Sequence, residues 1–146
     1  MKILVLNGPR LDRLGERAPE IYGRTTLAEL EDMLRARGKE LGVEVECIQS
    51  ADPDVLIDAL KGTDARAVII NPAALTHTSF ALREAIAACT VPVFEIHISN
   101  IYAREPYRRH SLVSPVARGS IIGLGVQGYV LALEAAAMEG DDAGTT

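Results

Sequence analysis

Short apolar runs that alternate with helical patterns are the feature of this sequence that most constrains its fold. Each run has the length of a β-strand and ends in polar or turn-forming residues. Strands that alternate with helices form a parallel sheet covered by helices on both faces, so the sequence predicts an α/β three-layer sandwich. The predicted strands are residues 2–6, 43–48, 67–70, 91–96 and 120–124.

The helical patterns begin and end at recognisable capping residues. Thr26 and Glu29 have capping-box spacing ahead of leucines at helical intervals, and Gly42 ends that helix. Asp52 precedes a proline and caps a second helix, and an alanine-rich helix over residues 126–138 closes the chain. The economical arrangement of these elements is a flavodoxin-like, five-stranded parallel sheet in the order 2-1-3-4-5.

The length of 146 residues suits one ordinary domain with a full core. We expect residues 1–138 to form a single flavodoxin-like catalytic domain. The stretch 139–146 is acidic and built of small residues, and we expect it to be a disordered tail.

Charge and cysteine usage restrict the partners of the chain. The net charge of −5 argues against nonspecific nucleic-acid binding, which needs a basic surface. The apolar run at residues 2–6 is too short for a signal peptide or a membrane span. Cys47 and Cys89 lie far apart beside apolar segments, as free thiols in a reducing compartment do. We therefore expect a cytoplasmic protein that binds neither nucleic acid nor membrane.

The fourth predicted strand carries a carboxylate and an imidazole at its carboxyl end. Glu95 and His97 are two residues apart, so an extended strand places both side chains on one side. A carboxylate beside an imidazole fixes its tautomer and favours its protonated form. The spacing therefore predicts that Glu95 orients His97 as a proton donor.

Polar residues at the ends of three predicted strands point to one binding pocket. Asn7, Asn71 and His97 follow the first, third and fourth strands, whose carboxyl ends converge in a doubly wound sheet. A loop after the fourth strand adds arginines suited to an anionic small molecule, among them Arg104 and Arg108. Alternatives stay open, because Asn71 could only cap a strand, His77 could be a solvent-exposed histidine, and the arginines could form a solvated loop.

The glycine run at residues 123–128 matches G-x-G-x-x-G, but its context does not fit a dinucleotide site. It belongs to the last strand-helix unit, so no later strand supplies an acidic residue for a ribose. We predict close helix–strand packing as the role of these glycines, with a nucleotide or flavin module as a rival interpretation. No Walker lysine, G-x-S-x-G elbow, H-E-x-x-H motif or paired-cysteine spacing occurs, which favours acid–base chemistry without metal or cofactor.

Taken together, the motifs of this chain resemble the type II 3-dehydroquinate dehydratases. The resemblance extends from Lys2 to about Ala137. The matching segments are Asn7-Gly8-Pro9, Leu14-Gly15 through Arg17, Pro19, Ile21-Tyr22-Gly23, Gln49-Ser50, Asn71-Pro72, residues 75–79, residues 95–100, Ala103-Arg104-Glu105, residues 108–111, Ser114-Pro115, residues 123–125 and residues 127–129.

The resemblance implies dehydration of 3-dehydroquinate to 3-dehydroshikimate by anti elimination through an enolate, without a metal or a Schiff base. Tyr22 matches the base of the family, and Arg17 matches a loop arginine that keeps it ionised, because a tyrosine needs a nearby cation to act as a base near neutrality. His97 matches the general acid, with Glu95 as its partner. The matching substrate-binding residues are Asn71, His77, Ile98, Ser99 and Arg108. The family also implies a homo-oligomer, a dodecamer built of trimers, acting in aromatic amino acid biosynthesis through the shikimate pathway or in quinate catabolism.

Two departures from the family pattern bear on activity. Arg10 replaces an asparagine, and Glu84 stands where an aspartate commonly reaches a neighbouring subunit's site. A long cation at residue 10 would either stabilise the enolate or crowd the pocket, so we expect dehydration to be retained but slowed. The alternative is a catalytically impaired relative that binds a cyclic hydroxy acid as a sensor or scaffold.

Overall fold

A five-stranded parallel sheet runs through the centre of the computed structural model, which describes residues 1–141. Its strand order, β2-β1-β3-β4-β5, and the parallel pairing of all neighbours confirm the predicted flavodoxin-like arrangement. The strands are β1 Lys2–Asn7, β2 Glu44–Gln49, β3 Ala67–Asn71, β4 Val93–His97 and β5 Gly119–Ile122.

Helices cover both faces of the sheet and complete the three layers. Side chains alternate along β1, so Ile3 and Val5 face one apolar core while Leu4 and Leu6 face the other. The first core lies under α2 and α6, and the second lies under α3 and α5. The helices are α1 Pro19–Tyr22, α2 Leu27–Leu41, α3 Pro53–Gly62, α4 Leu75–Thr78, α5 Phe80–Ala87 and α6 Gln127–Asp141.

The element ends differ from the predicted ones where polar residues join a strand or helix. β1 and β3 each continue into an asparagine, because Asn7 and Asn71 are register partners in the sheet. The segment after β1 contains a 3₁₀ turn over Leu11–Arg13 and the short helix α1. Residues 139–141 of the predicted tail belong to α6, and the rest of that prediction lies outside the described residues.

The glycine run brings α6 close to the sheet, as predicted. A Cβ atom on Gly128 would lie 2.7 Å from Cδ1 of Ile96 in β4 and 3.3 Å from Cγ2 of Ile121 in β5. A side chain at residue 128 would therefore require the Ile96 side chain to shift, and glycine lets the helix lie close to the strands without that shift. Within residues 1–141, no helix is long and apolar enough to cross a membrane.

Candidate active site

A cavity of about 350 Å³ opens at the carboxyl ends of β1, β3 and β4. This is the edge at which parallel α/β sheets bind their ligands, and the three loops predicted to converge do so here. Two predicted site residues are not part of the cavity lining. Glu95 contacts His97, and Glu84 lies on α5, where it accepts a hydrogen bond from Arg83 at 2.5 Å. The predicted site residues that line the cavity are Arg10, Arg17, Tyr22, Asn71, His77, His97, Ile98, Ser99 and Arg108.

Close backbone contacts join the loops after β1 and β3 beneath this cavity. The Gly8 amide donates to the Asn71 carbonyl at 2.8 Å, and Gln49 Nε2 donates to the Gly8 carbonyl at 3.2 Å. A Cβ atom on Gly8 would lie 2.6 Å from the Pro72 carbonyl oxygen. Backbone atoms cannot yield as a flexible side chain can, so the approach of the two loops requires glycine at residue 8.

The carboxylate of Glu95 is fully buried and receives five side-chain hydrogen bonds. His97 Nε2 lies 2.7 Å from Oε2, so the predicted contact between strand neighbours is present. Because Nε2 faces Glu95, Nδ1 is the ring nitrogen left for the cavity. The remaining donors are hydroxyls: Thr76 at 2.9 Å and Ser111 at 2.8 Å to Oε2, and Ser114 and Ser120 to Oε1.

These donors keep Glu95 ionised although it is buried. Burial alone would raise the pKa of the carboxyl group, because a charge is poorly solvated away from water. Hydrogen bonds from His97, Ser114 and Ser120 outweigh burial and lower the pKa from 4.5 to about 2. At neutral pH the imidazole of His97 therefore faces a fixed negative charge.

The lowered pKa predicts how stability depends on pH. Its folded value lies below its unfolded value, so Glu95 contributes stability above about pH 4.5 that is lost as the pH falls to about 2. That contribution is on the order of 3 kcal/mol. In urea titrations, the difference in the free energy of unfolding between wild type and Glu95→Gln should shrink across this range. The exposed control Glu44→Gln should show no such change, and a pH-independent difference for Glu95→Gln would contradict the prediction.

Arg104 is the residue that holds the Tyr22 phenol, a contact that the sequence did not predict. Its Nη1 donates to the Tyr22 hydroxyl at 2.6 Å and to Ser99 Oγ at 3.3 Å. Its guanidinium carbon also lies 5.4 Å from the centre of the Tyr22 ring. Arg17 lines the same cavity, but no hydrogen bond or ion pair joins it to Tyr22 in the described chain. The signal that could have identified Arg104 was its place in the Ala103-Arg104-Glu105 segment.

Two more cavity residues are held by the loop after β4. Arg108 Nε donates to Glu105 Oε2 at 2.7 Å, and its guanidinium carbon lies 5.1 Å from the Tyr107 ring centre. His77 Nδ1 lies 2.7 Å from the His110 carbonyl oxygen, so this ring nitrogen carries the proton and donates. Nε2 of His77 is therefore left as an acceptor in the neutral ring.

Arg10 has an unusual backbone for its residue type. Its φ angle of 70° places it in the left-handed region, which costs a side chain such as arginine about 1 kcal/mol and suits asparagine better. It lines the cavity, and its guanidinium makes no hydrogen bond or ion pair with residues 1–139, whose side chains the structure describes. An unpaired cation thus stands at the cavity wall.

The chemical groups around the cavity are of the acid–base and anion-binding kinds. In the described part of the chain, no group of three or more His, Cys, Asp or Glu side chains could hold a metal ion. The described lining residues also include no lysine. Together the fold and the site define an α/β-sandwich protein whose pocket combines a phenol, imidazoles and guanidinium groups.

Comparisons with known proteins place this chain in a family. The model of the family "Dehydroquinase class II" matches residues 1–137. A 3-dehydroquinate dehydratase of Variovorax paradoxus is 54% identical over 141 residues, covering 92% of this chain and 97% of that protein. The chain therefore belongs to the class II dehydroquinase family, as the sequence motifs indicated.

Solved structures agree with this placement. A type II dehydroquinase from Propionibacterium acnes superposes with a TM-score of 0.90 at 46% identity, covering 94% of this chain and 96% of that one. A type II dehydroquinase from Butyrivibrio crossotus superposes with a TM-score of 0.91 at 39% identity, covering 93% and 97%. The flavodoxin-like sheet and its helices are thus those of the family.

Proposed function

We propose that this chain dehydrates 3-dehydroquinate to 3-dehydroshikimate by anti elimination through an enolate, with Tyr22 as base and His97 as general acid. The observation that carries the proposal is that one cavity holds both a group suited to act as a base and a group suited to act as an acid. A phenol held by the guanidinium of Arg104 and an imidazole backed by a buried carboxylate both line it. Membership of the class II dehydroquinase family supports the choice of substrate.

The base half of the reaction uses the contact between Tyr22 and Arg104. A guanidinium 2.6 Å from the phenol oxygen stabilises the phenolate, which then removes the proton beside the substrate ketone. The electrons pass into the carbonyl, which becomes an enolate oxygen. Arg17 lines the cavity and has no hydrogen bond or ion pair among the described residues, so we assign it a second stabilising charge near the phenolate or the enolate.

The acid half uses His97 and its buried partner. As the enolate collapses, the bond to the departing hydroxyl breaks, and the imidazolium donates the proton that turns this hydroxyl into water. The fixed charge of Glu95 stabilises the imidazolium before the transfer and orients the neutral ring after it. One proton thus leaves to Tyr22 and one arrives from His97, and exchange with solvent restores both groups.

The remaining cavity residues are proposed to hold the substrate carboxylate and hydroxyls. Arg108 provides a guanidinium whose Nε is already fixed by Glu105, leaving its terminal N–H groups for a carboxylate. Asn71, His77, Ile98 and Ser99 line the same cavity. Such a set binds one anion and several hydroxyls, as a cyclic hydroxy acid requires.

Assembly and cellular role belong to the proposal as well. We propose a homo-oligomer, a dodecamer built of trimers, in which Glu84 on the exposed side of α5 reaches a neighbouring site. The same dehydration serves aromatic amino acid biosynthesis and quinate catabolism, and the free thiols Cys47 and Cys89 fit a cytoplasmic setting. Light scattering of the purified protein tests the assembly.

An absorbance assay tests the activity. The product has an enone conjugated with its carboxylate and absorbs ultraviolet light, whereas the substrate does not. Purified protein mixed with 3-dehydroquinate should generate this absorbance without any added metal or cofactor. No product at high protein concentration would overturn the proposal.

Arg10 favours a second candidate, a catalytically impaired relative that binds a cyclic hydroxy acid as a sensor or scaffold. If the unpaired guanidinium only slows an active enzyme, Arg10→Asn should remove that cation and supply a residue that tolerates the left-handed backbone. Turnover should then rise about tenfold, which corresponds to about 1.4 kcal/mol of barrier. Initial rates for the wild type, Arg10→Asn and the exposed loop control Arg24→Asn measure this effect. Binding of the hydroxy acid without turnover in both the wild type and Arg10→Asn would instead favour the sensor.

A further inference from the structure

A chain of buried hydrogen bonds runs beneath the cavity and ends at Asn71. The Tyr129 hydroxyl donates to Asn7 Oδ1 at 2.7 Å, and Asn71 Nδ2 donates to the Tyr129 oxygen at 2.8 Å. Tyr129 is fully buried on α6, while the asparagines end β1 and β3. Of the three, Asn71 alone lines the cavity. The other two therefore reach a ligand only through it.

The contacts of Asn71 fix which way its amide group faces. Its Oδ1 accepts from the Ala73 amide at 3.0 Å, and one N–H of Nδ2 goes to Tyr129. An amide group has two N–H donors, so one of them remains for a ligand while the oxygen stays engaged. In this arrangement Asn71 offers the cavity a donor.

Asn7 in turn sets the direction of the Tyr129 hydroxyl. Because that hydroxyl donates to Asn7, its oxygen is left to accept from Asn71. Burial raises the pKa of Tyr129 far above its ordinary value, so the hydroxyl keeps its proton at any working pH. The donor and the acceptor of both hydrogen bonds made by the Tyr129 hydroxyl are thus determined.

The network leaves one buried donor unsatisfied. Within the described residues, Asn7 Nδ2 is the one buried side-chain nitrogen or oxygen without a hydrogen-bond partner. A leucine of similar size at residue 7 would remove this orphaned donor but would leave the Tyr129 hydroxyl without its acceptor. Asn7 therefore serves the network through its oxygen alone.

We propose that Tyr129 is a positioning residue that, with Asn7, locks the amide of Asn71 as a hydrogen-bond donor and so selects ligands that place an acceptor oxygen beside it. The inference rests on the proposed function for its ligand class, a cyclic hydroxy acid. If Tyr129 loses its hydroxyl, the contact with the Ala73 amide alone holds the amide of Asn71. The rotated amide, which presents its oxygen and repels a carboxylate or carbonyl oxygen, then becomes more populated.

A double-mutant cycle tests this inference with quinate, an unreactive cyclic hydroxy acid, as the probe. Calorimetry compares wild type, Tyr129→Phe, Asn71→Ala and the double variant. We expect Tyr129→Phe to weaken quinate binding about tenfold, the effect of one lost hydrogen bond, and to have no further effect when Asn71 is absent. The KM for 3-dehydroquinate should rise by the same factor, with a smaller change in kcat.

The controls separate positioning from stability. Ile86→Val removes a methylene group from the core on the other face of the sheet, and we expect it to lower the free energy of unfolding about as much as Tyr129→Phe does. Its affinity for quinate should equal that of wild type. If Tyr129→Phe does not fold, Asn7→Leu removes the acceptor of the hydroxyl and carries the same expectation. Equal weakening by Tyr129→Phe in both backgrounds, unchanged binding in Tyr129→Phe, or a wild type that does not bind quinate would overturn the inference. Quinate binding that follows the expected cycle in a protein without turnover would overturn the proposed dehydration and leave the positioning role intact.

Discussion

Tyr22→Phe is expected to lower kcat about a thousandfold while leaving the fold and the binding of quinate nearly unchanged. The variant keeps the ring beside Arg104 but removes the oxygen that Nη1 of Arg104 contacts at 2.6 Å. Without that oxygen the cavity loses the phenolate that we propose removes the proton next to the ketone. Steady-state rates from the absorbance assay, with thermal unfolding as a check on folding, measure the effect.

Tyr102→Phe is the matched control for this change. Tyr102 is 52% exposed and does not line the cavity, so loss of its hydroxyl should leave kcat within about twofold of wild type. If Tyr22→Phe kept more than about a tenth of the wild-type rate, another group would have to be the base.

His97→Gln is expected to lower kcat by a similar factor, about a thousandfold. Glutamine carries an amide N–H at nearly the reach of His97 Nε2, so it can still donate to Glu95. It cannot supply a proton to a departing hydroxyl. The variant therefore separates proton transfer from the structural contact, and its free energy of unfolding should fall by no more than about 1 kcal/mol. Rates and urea titrations on the same preparation test both statements.

The control for His97→Gln is His110→Gln, a change at an exposed histidine whose side chain does not line the cavity. Near-normal rates are expected there, because the backbone carbonyl that His77 contacts is retained. A His97→Gln variant with a wild-type rate would exclude His97 as the general acid.

The sheet could be predicted because its apolar pattern is local. Residues Ile3 to Leu6 alternate between two cores, and the strands that follow are apolar runs of similar length. The capping box at Thr26 is likewise a local signal, and both of its hydrogen bonds are present. The Glu29 amide donates to the Thr26 hydroxyl at 3.2 Å, and the Thr26 amide donates to the Glu29 carboxylate at 3.0 Å. Periodicity and caps act over a few residues, so the sequence displays them directly.

The contact between Glu95 and His97 could be predicted for the same reason, since two residues on one strand share a side. The hydroxyls around Glu95 could not, because they come from α4, from the segment between β4 and β5, and from β5, which only the folded chain brings together. These are Thr76, Ser111, Ser114 and Ser120.

The choice among the arginines was beyond the sequence alone. Arg17 and Arg104 are both long side chains on loops that meet at the cavity, and each could reach Tyr22. The structure shows the contact with Arg104, whose guanidinium is also close to Glu105 and Ser99. Loop residues are placed by tertiary contacts, so residue type and spacing do not determine which arginine touches the phenol.

The stereochemistry of the elimination distinguishes the proposed anti mechanism from its alternative. The substrate is 3-dehydroquinate with deuterium on the carbon between the ketone and the departing hydroxyl, on the side opposite that hydroxyl. Anti elimination should give 3-dehydroshikimate that has lost the deuterium, formed more slowly than from unlabelled substrate because the base breaks that bond. A product that retains the deuterium would exclude anti elimination, because the proton would then have left from the same side as the hydroxyl.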